Sequence, residues 1–154
     1  MPHIHEKIDF TAEVLVIYGN TVLLRKHDKY KKWLSVGGHI ELNEDPTEAA
    51  TREVKEEVGL DIELFGNAPK FNKPEEYREL IPPVSVNRHR INEIHEHVTL
   101  LYFARSASNK ITQGDKEISD GIRWFTKEEL DDPRYGIEED IKFYAKKALE
   151  ELAR

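Results

Sequence analysis

The stretch 45–59 constrains this chain most, because it carries its own start and stop signals for a helix. Asp45 offers an N-cap carboxylate, Pro46 suits the first helical position, and Glu48 stands where it completes a capping box with Asp45. The helix can run through Val58 and end at Gly59, since glycine takes the left-handed C-cap conformation without a Cβ penalty. On that helix Glu53, Glu56 and Glu57 sit at i, i+3 and i+4 and share one side. Like charges at these spacings repel by a few tenths of a kcal/mol per pair, so the cluster either faces open water or holds a cation. Oxygen-only ligands select hard ions, Mg²⁺, Mn²⁺ or Ca²⁺, over Zn²⁺. Val54 and Val58, near Thr47 and Thr51, form a modest apolar stripe, which predicts core contacts on one face and carboxylates on another.

Around this helix the pattern is that of strands. Residues 12–18 are apolar and β-branched, Gly19-Asn20 is a tight-turn pair, and Thr21 to Leu24 resume the strand, which predicts a hairpin. A short strand at 33–36 precedes Gly37-Gly38, where the missing side chains let the backbone approach a ligand and offer it a carbonyl oxygen. Residues 61–65 read as a strand. The segment 66–92, with Pro69, Pro74, Pro82 and Pro83, reads as an irregular functional loop. Strand character returns at 94–104 and 118–125, and Thr126 and Glu129 repeat the capping-box spacing. Ile137, Ile141, Tyr144, Ala148 and Leu152 then line one face of a C-terminal helix. The expected fold is α/β: a sandwich in which helices cover a central mixed β-sheet.

At 154 residues the chain fits one domain spanning 1–154, able to bury roughly 68–70% of its unfolded surface. It has no cysteine, which excludes disulfides, thiolate metal sites and cysteine nucleophiles. With 23 Lys plus Arg against 30 Asp plus Glu, the net charge of -7 disfavours nucleic acid and anionic membranes as partners, so an anionic substrate needs a metal or local cations. The first ten residues lack the apolar core of a secretory signal, and the apolar runs fall far short of the roughly 20 residues of a membrane span. The expected location is cytoplasmic.

From Gly38, five residues lead to Glu44, and seven more to Arg52-Glu53-Val54-Lys55-Glu56-Glu57-Val58-Gly59-Leu60. This resembles the complete Nudix box, G-x5-E-x7-R-E-U-x-E-E-x-G-U with U aliphatic; chance matches are on the order of 10⁻⁹ per window. The flanks are similar too: a hairpin before, a strand after, and Arg123-Trp124-Phe125 leading into Glu128-Glu129-Leu130. Val36 departs from the proline that many members carry before the glycines. The resemblance implies a MutT-like Nudix α/β/α sandwich in which Glu53, Glu56 and Glu57 bind Mg²⁺ (or Mn²⁺), joined by the carbonyl at Gly37 or Gly38. It makes Arg52 and Glu44 supports that fix the loop and helix through a salt bridge. It leaves the identity of the general base, and whether the chain forms a homodimer, open.

The implied reaction is metal-dependent cleavage of a diphosphate in a nucleoside diphosphate linked to another group: a nucleoside triphosphate, ADP-ribose, a nucleotide sugar or a dinucleoside polyphosphate. The alternative is a non-catalytic nucleotide sensor on the same fold; the intact box argues against it. Arg25 and Lys26 follow an apolar strand and read equally as phosphate contacts or as surface charge. Lys29, Lys31 and Lys32 read as a solvated loop. Phe71 and Tyr77 read first as packing and second as a platform for a nucleobase; Trp33 and Trp124 read as core. His95 and His97, like His3 and His5, alternate along the chain; polar strand ends explain both pairs, with a two-imidazole metal pair as the sharper alternative. Glu96 or Glu117 is a candidate carboxylate for a second metal ion.

Overall fold

The computed structural model describes residues 6–27, 29–113 and 121–154. His3, His5 and Glu117, and the first part of the strand expected at 118–125, lie outside the described residues. The chain runs β1 (Ile8–Tyr18), β2 (Thr21–Lys26), β3 (Trp33–Leu34), β4 (Val36–His39), α1 (Pro46–Val58), β5 (Ile62–Leu64), β6 (Ser85–Arg90), β7 (Glu96–Ser106), β8 (Gly121–Phe125) and α2 (Glu139–Leu152). The strands form one mixed sheet: β1 lies parallel to β7, and every other pairing is antiparallel.

Alternation along β1 decides the layers, because successive side chains leave opposite faces of a strand. Val14 and Val16 join Leu23, Val36, Ala49, Ala50, Val54 and Val58 in a core beneath α1. Leu15 and Ile17 join Leu24, Phe103, Phe125, Ala145 and Leu149 in a second core beneath α2. The α/β sandwich with helices on both faces of a mixed sheet is therefore the observed architecture. No helix among the described residues is long and apolar enough to cross a membrane.

Helix α1 begins and ends where its own residues direct. The Asp45 carboxylate accepts from the backbone N–H of Thr47 (2.8 Å) and Glu48 (2.9 Å), and Glu48 accepts in return from the Asp45 N–H at 3.0 Å. Gly59 ends the helix at φ +72°. Removing the cap in Asp45→Ala is expected to cost about 1 kcal/mol, lowering the melting temperature by roughly 2–4 °C in a thermal melt.

Several expected elements come out differently. The glycines at 37 and 38 lie within a strand and not after one: β3 pairs with β2 while β4 pairs with β1, splitting the expected 33–36 strand in two. The expected loop 66–92 ends in β6, whose polar residues are held by the edge of β7. The Thr126–Glu129 box forms, with bonds of 2.9 and 3.3 Å, but opens a single 3₁₀ turn (Glu129–Asp131). Pro133, two residues on, disfavours helical backbone at the residue before it. Trp33 and Trp124 are half-buried at the core margins, and the Trp124 indole N–H donates to the Asn109 carbonyl at 3.1 Å.

Candidate active site

The site is assembled where β4 hands the chain to α1. Strand β4 lies against β1 in a register that pairs Gly37 with Glu13 and Gly38 with Ala12, and α1 packs across it. A Cβ at Gly37 would stand 2.2 Å from the Ala12 carbonyl oxygen, and one at Gly38 would stand 2.7 Å from the Glu53 carboxylate carbon. Both glycines are thus required by close approach, and the space a side chain would take at Gly38 is filled by the acid group of Glu53.

Arg52 is the hub of the cluster. Its Nε and Nη2 donate to the two oxygens of Glu44 at 3.0 and 2.7 Å, a bidentate clamp, and Nη2 also donates to the His39 carbonyl at 3.1 Å. Its Nη1 donates to Glu53 at 3.0 Å and to Glu56 at 3.1 Å. Glu44 also accepts the Glu41 backbone N–H at 2.8 Å, which fixes the turn between β4 and α1. The Arg52 guanidinium holds the Glu44 carboxyl below the usual carboxylate range, and Glu44 in turn pushes the guanidinium up. The salt bridge expected between these two residues is therefore present, with two bonds. Such charge-assisted forks are stronger and more directional than single neutral hydrogen bonds.

The three glutamates differ in setting. Glu53 and Glu57 are 3% and 1% exposed, while Glu56 is exposed. This corrects the expectation that carboxylates and core contacts occupy separate faces of α1: Ala49, Ala50, Val54 and Val58 share the buried side with Glu53 and Glu57, and Thr51 is exposed. At Glu53 the cause is Gly38 of β4, whose missing side chain leaves the space that the carboxylate fills. Arg25 of β2 supplies charge from the other side, its Nε 3.2 Å from the Glu57 carboxylate.

The remaining expected contacts divide. Arg25 joins the glutamates, whereas Lys26 is the next residue along β2 and alternation sends it to the other face of the sheet. Tyr77 and Phe71 are exposed and not packed; the Tyr77 hydroxyl donates to Glu79 at 2.8 Å, and Lys73 lies 4.6 Å from its ring centre. Their loop nevertheless reaches the start of α1, where Arg78 stands 3.6 Å from Asp45. Glu96 is bound by Arg88 through two hydrogen bonds of 2.7 and 2.9 Å at the sheet edge. Lys32 is exposed, with Glu138 2.7 Å away.

Sequence reasoning did not find the cleft on the α2 face of the sheet, a space of about 800 Å³. Glu13 lines it and accepts the Ser35 hydroxyl at 3.0 Å; Tyr30, Lys32, Arg88 and Tyr144 contribute elsewhere. Its walls come from β1, β3, β6, β7 and α2, elements far apart in the chain, so no local signal marks it.

The donor chemistry fits a hard divalent cation: an oxygen-only set on one helix, drawn together by guanidinium groups, beside a glycine cradle that brings backbone into reach. A family model of the NUDIX domain matches residues 9–147. Among solved structures, a NUDIX-family hydrolase from Clostridium perfringens superimposes with a TM-score of 0.81 at 32% identity, covering 92% of this chain and 96% of that one. A MutT NUDIX hydrolase from Burkholderia pseudomallei shares the fold at a TM-score of 0.66 and 19% identity, covering 96% and 100%. A UDP-X diphosphatase shares it at 0.62 and 12%, covering 96% and 63%. No curated protein matches this sequence.

Proposed function

The chain belongs to the Nudix family of pyrophosphohydrolases, and on that premise we propose that it hydrolyses a diphosphate bond in a nucleoside diphosphate linked to another group, using Mg²⁺ held by Glu53, Glu56, Glu57 and the Gly38 carbonyl. Mn²⁺ satisfies the same donor preferences. The observation that carries this reading is the Arg52 hub: one guanidinium clamps Glu44 and also holds Glu53 and Glu56, so that residues distant in sequence act as one unit.

When bound, the ion supplies charge neutralisation for the diphosphate and acidifies an attacking water. The chain's own residues hold the geometry. Glu44 and Arg52 are positioning residues that tie the turn after β4 to α1, and Gly38 keeps the Glu53 carboxylate against the backbone. Arg25 offsets the charge of Glu57, which lets an acidic site stay compact before an ion arrives. The cleft beside Glu13 is large enough for a nucleoside, and Tyr30 and Tyr144 offer faces for stacking.

The test is product release, followed by chromatography with Mg²⁺ and with chelator. The substrates are nucleoside triphosphates, oxidised triphosphates, ADP-ribose, nucleotide sugars and dinucleoside polyphosphates. Metal-dependent cleavage of one class, yielding a nucleoside monophosphate and a second phosphorylated product, is expected. Tight nucleotide binding in calorimetry with no product from any class would overturn the hydrolytic reading in favour of a sensor.

A further inference from the structure

The face of the sheet away from α1 carries a second ligand-rich cluster, separate from the glutamates of α1, and one of its members, His97, lines the α2-face cleft. Register builds it: Asp9 of β1 pairs with His97 of β7, and His97 pairs in turn with His89 of β6. His95 stands just ahead of β7, and His39 closes β4. One ligand atom each from Asp9, His95 and His97 lie within 4.8 Å of one another; Asp9 and His95 are buried and His97 half-buried.

The Asp9–His95 spacing is that of two ligands in one coordination shell. An ion with bonds of about 2.0–2.1 Å in a tetrahedral site sets its ligand atoms roughly 3.3 Å apart. Asp9 Oδ2 is 3.2 Å from His95 Nε2 and 3.6 Å from His39 Nε2. His95 Nδ1 stands 3.2 Å from the Glu6 carbonyl, the arrangement in which a ligating imidazole donates one ring N–H and turns its other nitrogen to the ion.

We propose that Asp9, His95 and His97 form a second divalent-cation site that takes a borderline transition ion of the Zn²⁺ class. Two imidazoles and a carboxylate favour Zn²⁺, Co²⁺ or Ni²⁺, whereas the oxygen-only glutamates of α1 favour Mg²⁺, so the two sites divide ions by donor type. An ion there joins β1 to the start of β7. It adjoins His39, which lies 3.6 Å from Asp9 and whose carbonyl accepts from Arg52.

The test uses tag-free full-length protein stripped with chelator and then held in excess Mg²⁺ to fill the glutamates. Zn²⁺ is titrated calorimetrically, and Co²⁺ by its visible absorption. Expected are a single saturable site, shifts of the His95 and His97 ring nitrogens in NMR on adding Zn²⁺, and affinity lower by at least about tenfold in His97→Gln and in His95→Gln. Glu56→Gln should leave Zn²⁺ affinity unchanged. If His95→Gln fails to fold, His97→Gln, at a half-buried position, carries the test. Absence of Zn²⁺ binding in excess Mg²⁺, unchanged affinity in His97→Gln, or loss of the site in Glu56→Gln would overturn the proposal.

Discussion

Glu56→Gln is expected to lower turnover at saturating substrate and Mg²⁺ by about a hundredfold, because removal of even an indirect support at a metal site costs about 10–100-fold. The melting temperature should stay within about a degree, since the Glu56 side chain is 60% exposed and its tie to Arg52 is a surface pair worth roughly 0–1 kcal/mol. This separation makes Glu56 a cleaner probe than its neighbours. Glu57 lies against Arg25 and Glu53 against Gly38 and Arg52, so neutralising either one disturbs packing and charge together. Steady-state rates on the best substrate, measured beside a thermal melt, decide the matter. Full turnover in a folded Glu56→Gln protein would remove Glu56 from the ion's ligand set.

Arg52→Lys should damage both stability and rate. Lysine keeps the charge but cannot present the planar fork that reaches both Glu44 oxygens, the His39 carbonyl, Glu53 and Glu56. Breaking a buried ion pair costs about 3–5 kcal/mol; with Arg52 at 22% side-chain exposure, about 2–3 kcal/mol is expected here. For a chain of this length that lowers the melting temperature by roughly 4–12 °C. Turnover should drop by about 10–100-fold with smaller change in substrate KM, because the turn between β4 and α1 loses its anchor while the α2-face cleft is untouched. A Lys variant as stable and active as the parent would mean that Glu44 and Arg52 do not position the site.

Much of this site is legible before any coordinates, because its signals are local. Asp45, Glu48 and Gly59 bound α1, and the i, i+3, i+4 spacing puts three glutamates on one side of it. The family resemblance carried by Gly38, Glu44 and Arg52 implies the clamp that forms. What the spacing could not express is inequality among the glutamates: a helical projection treats Glu53, Glu56 and Glu57 alike, whereas docking on the sheet buries Glu53 against Gly38 and Glu57 against Arg25 and leaves Glu56 in solvent. Strand β6 was hidden for a related reason. Ser85–Arg90 is a polar, exposed segment without the apolar alternation that marks a half-buried strand, and it is held by backbone pairing to β7.

The sequence by itself determined the boundaries of α1, the alternation that gives the sheet two apolar faces, and the acidic motif with Arg52 beside it. Each of these rests on residues within a turn of helix, a few strand positions or one short motif. Tertiary structure alone decided which strands meet. The parallel pairing of β1 with β7 brings Asp9 to His97 and Thr11 to within 2.7 Å of Thr99 across 88 positions of chain, and the same pairing walls the cleft. Such contacts follow from sheet register, and register is set by the burial of whole faces and not by the residues that happen to meet there.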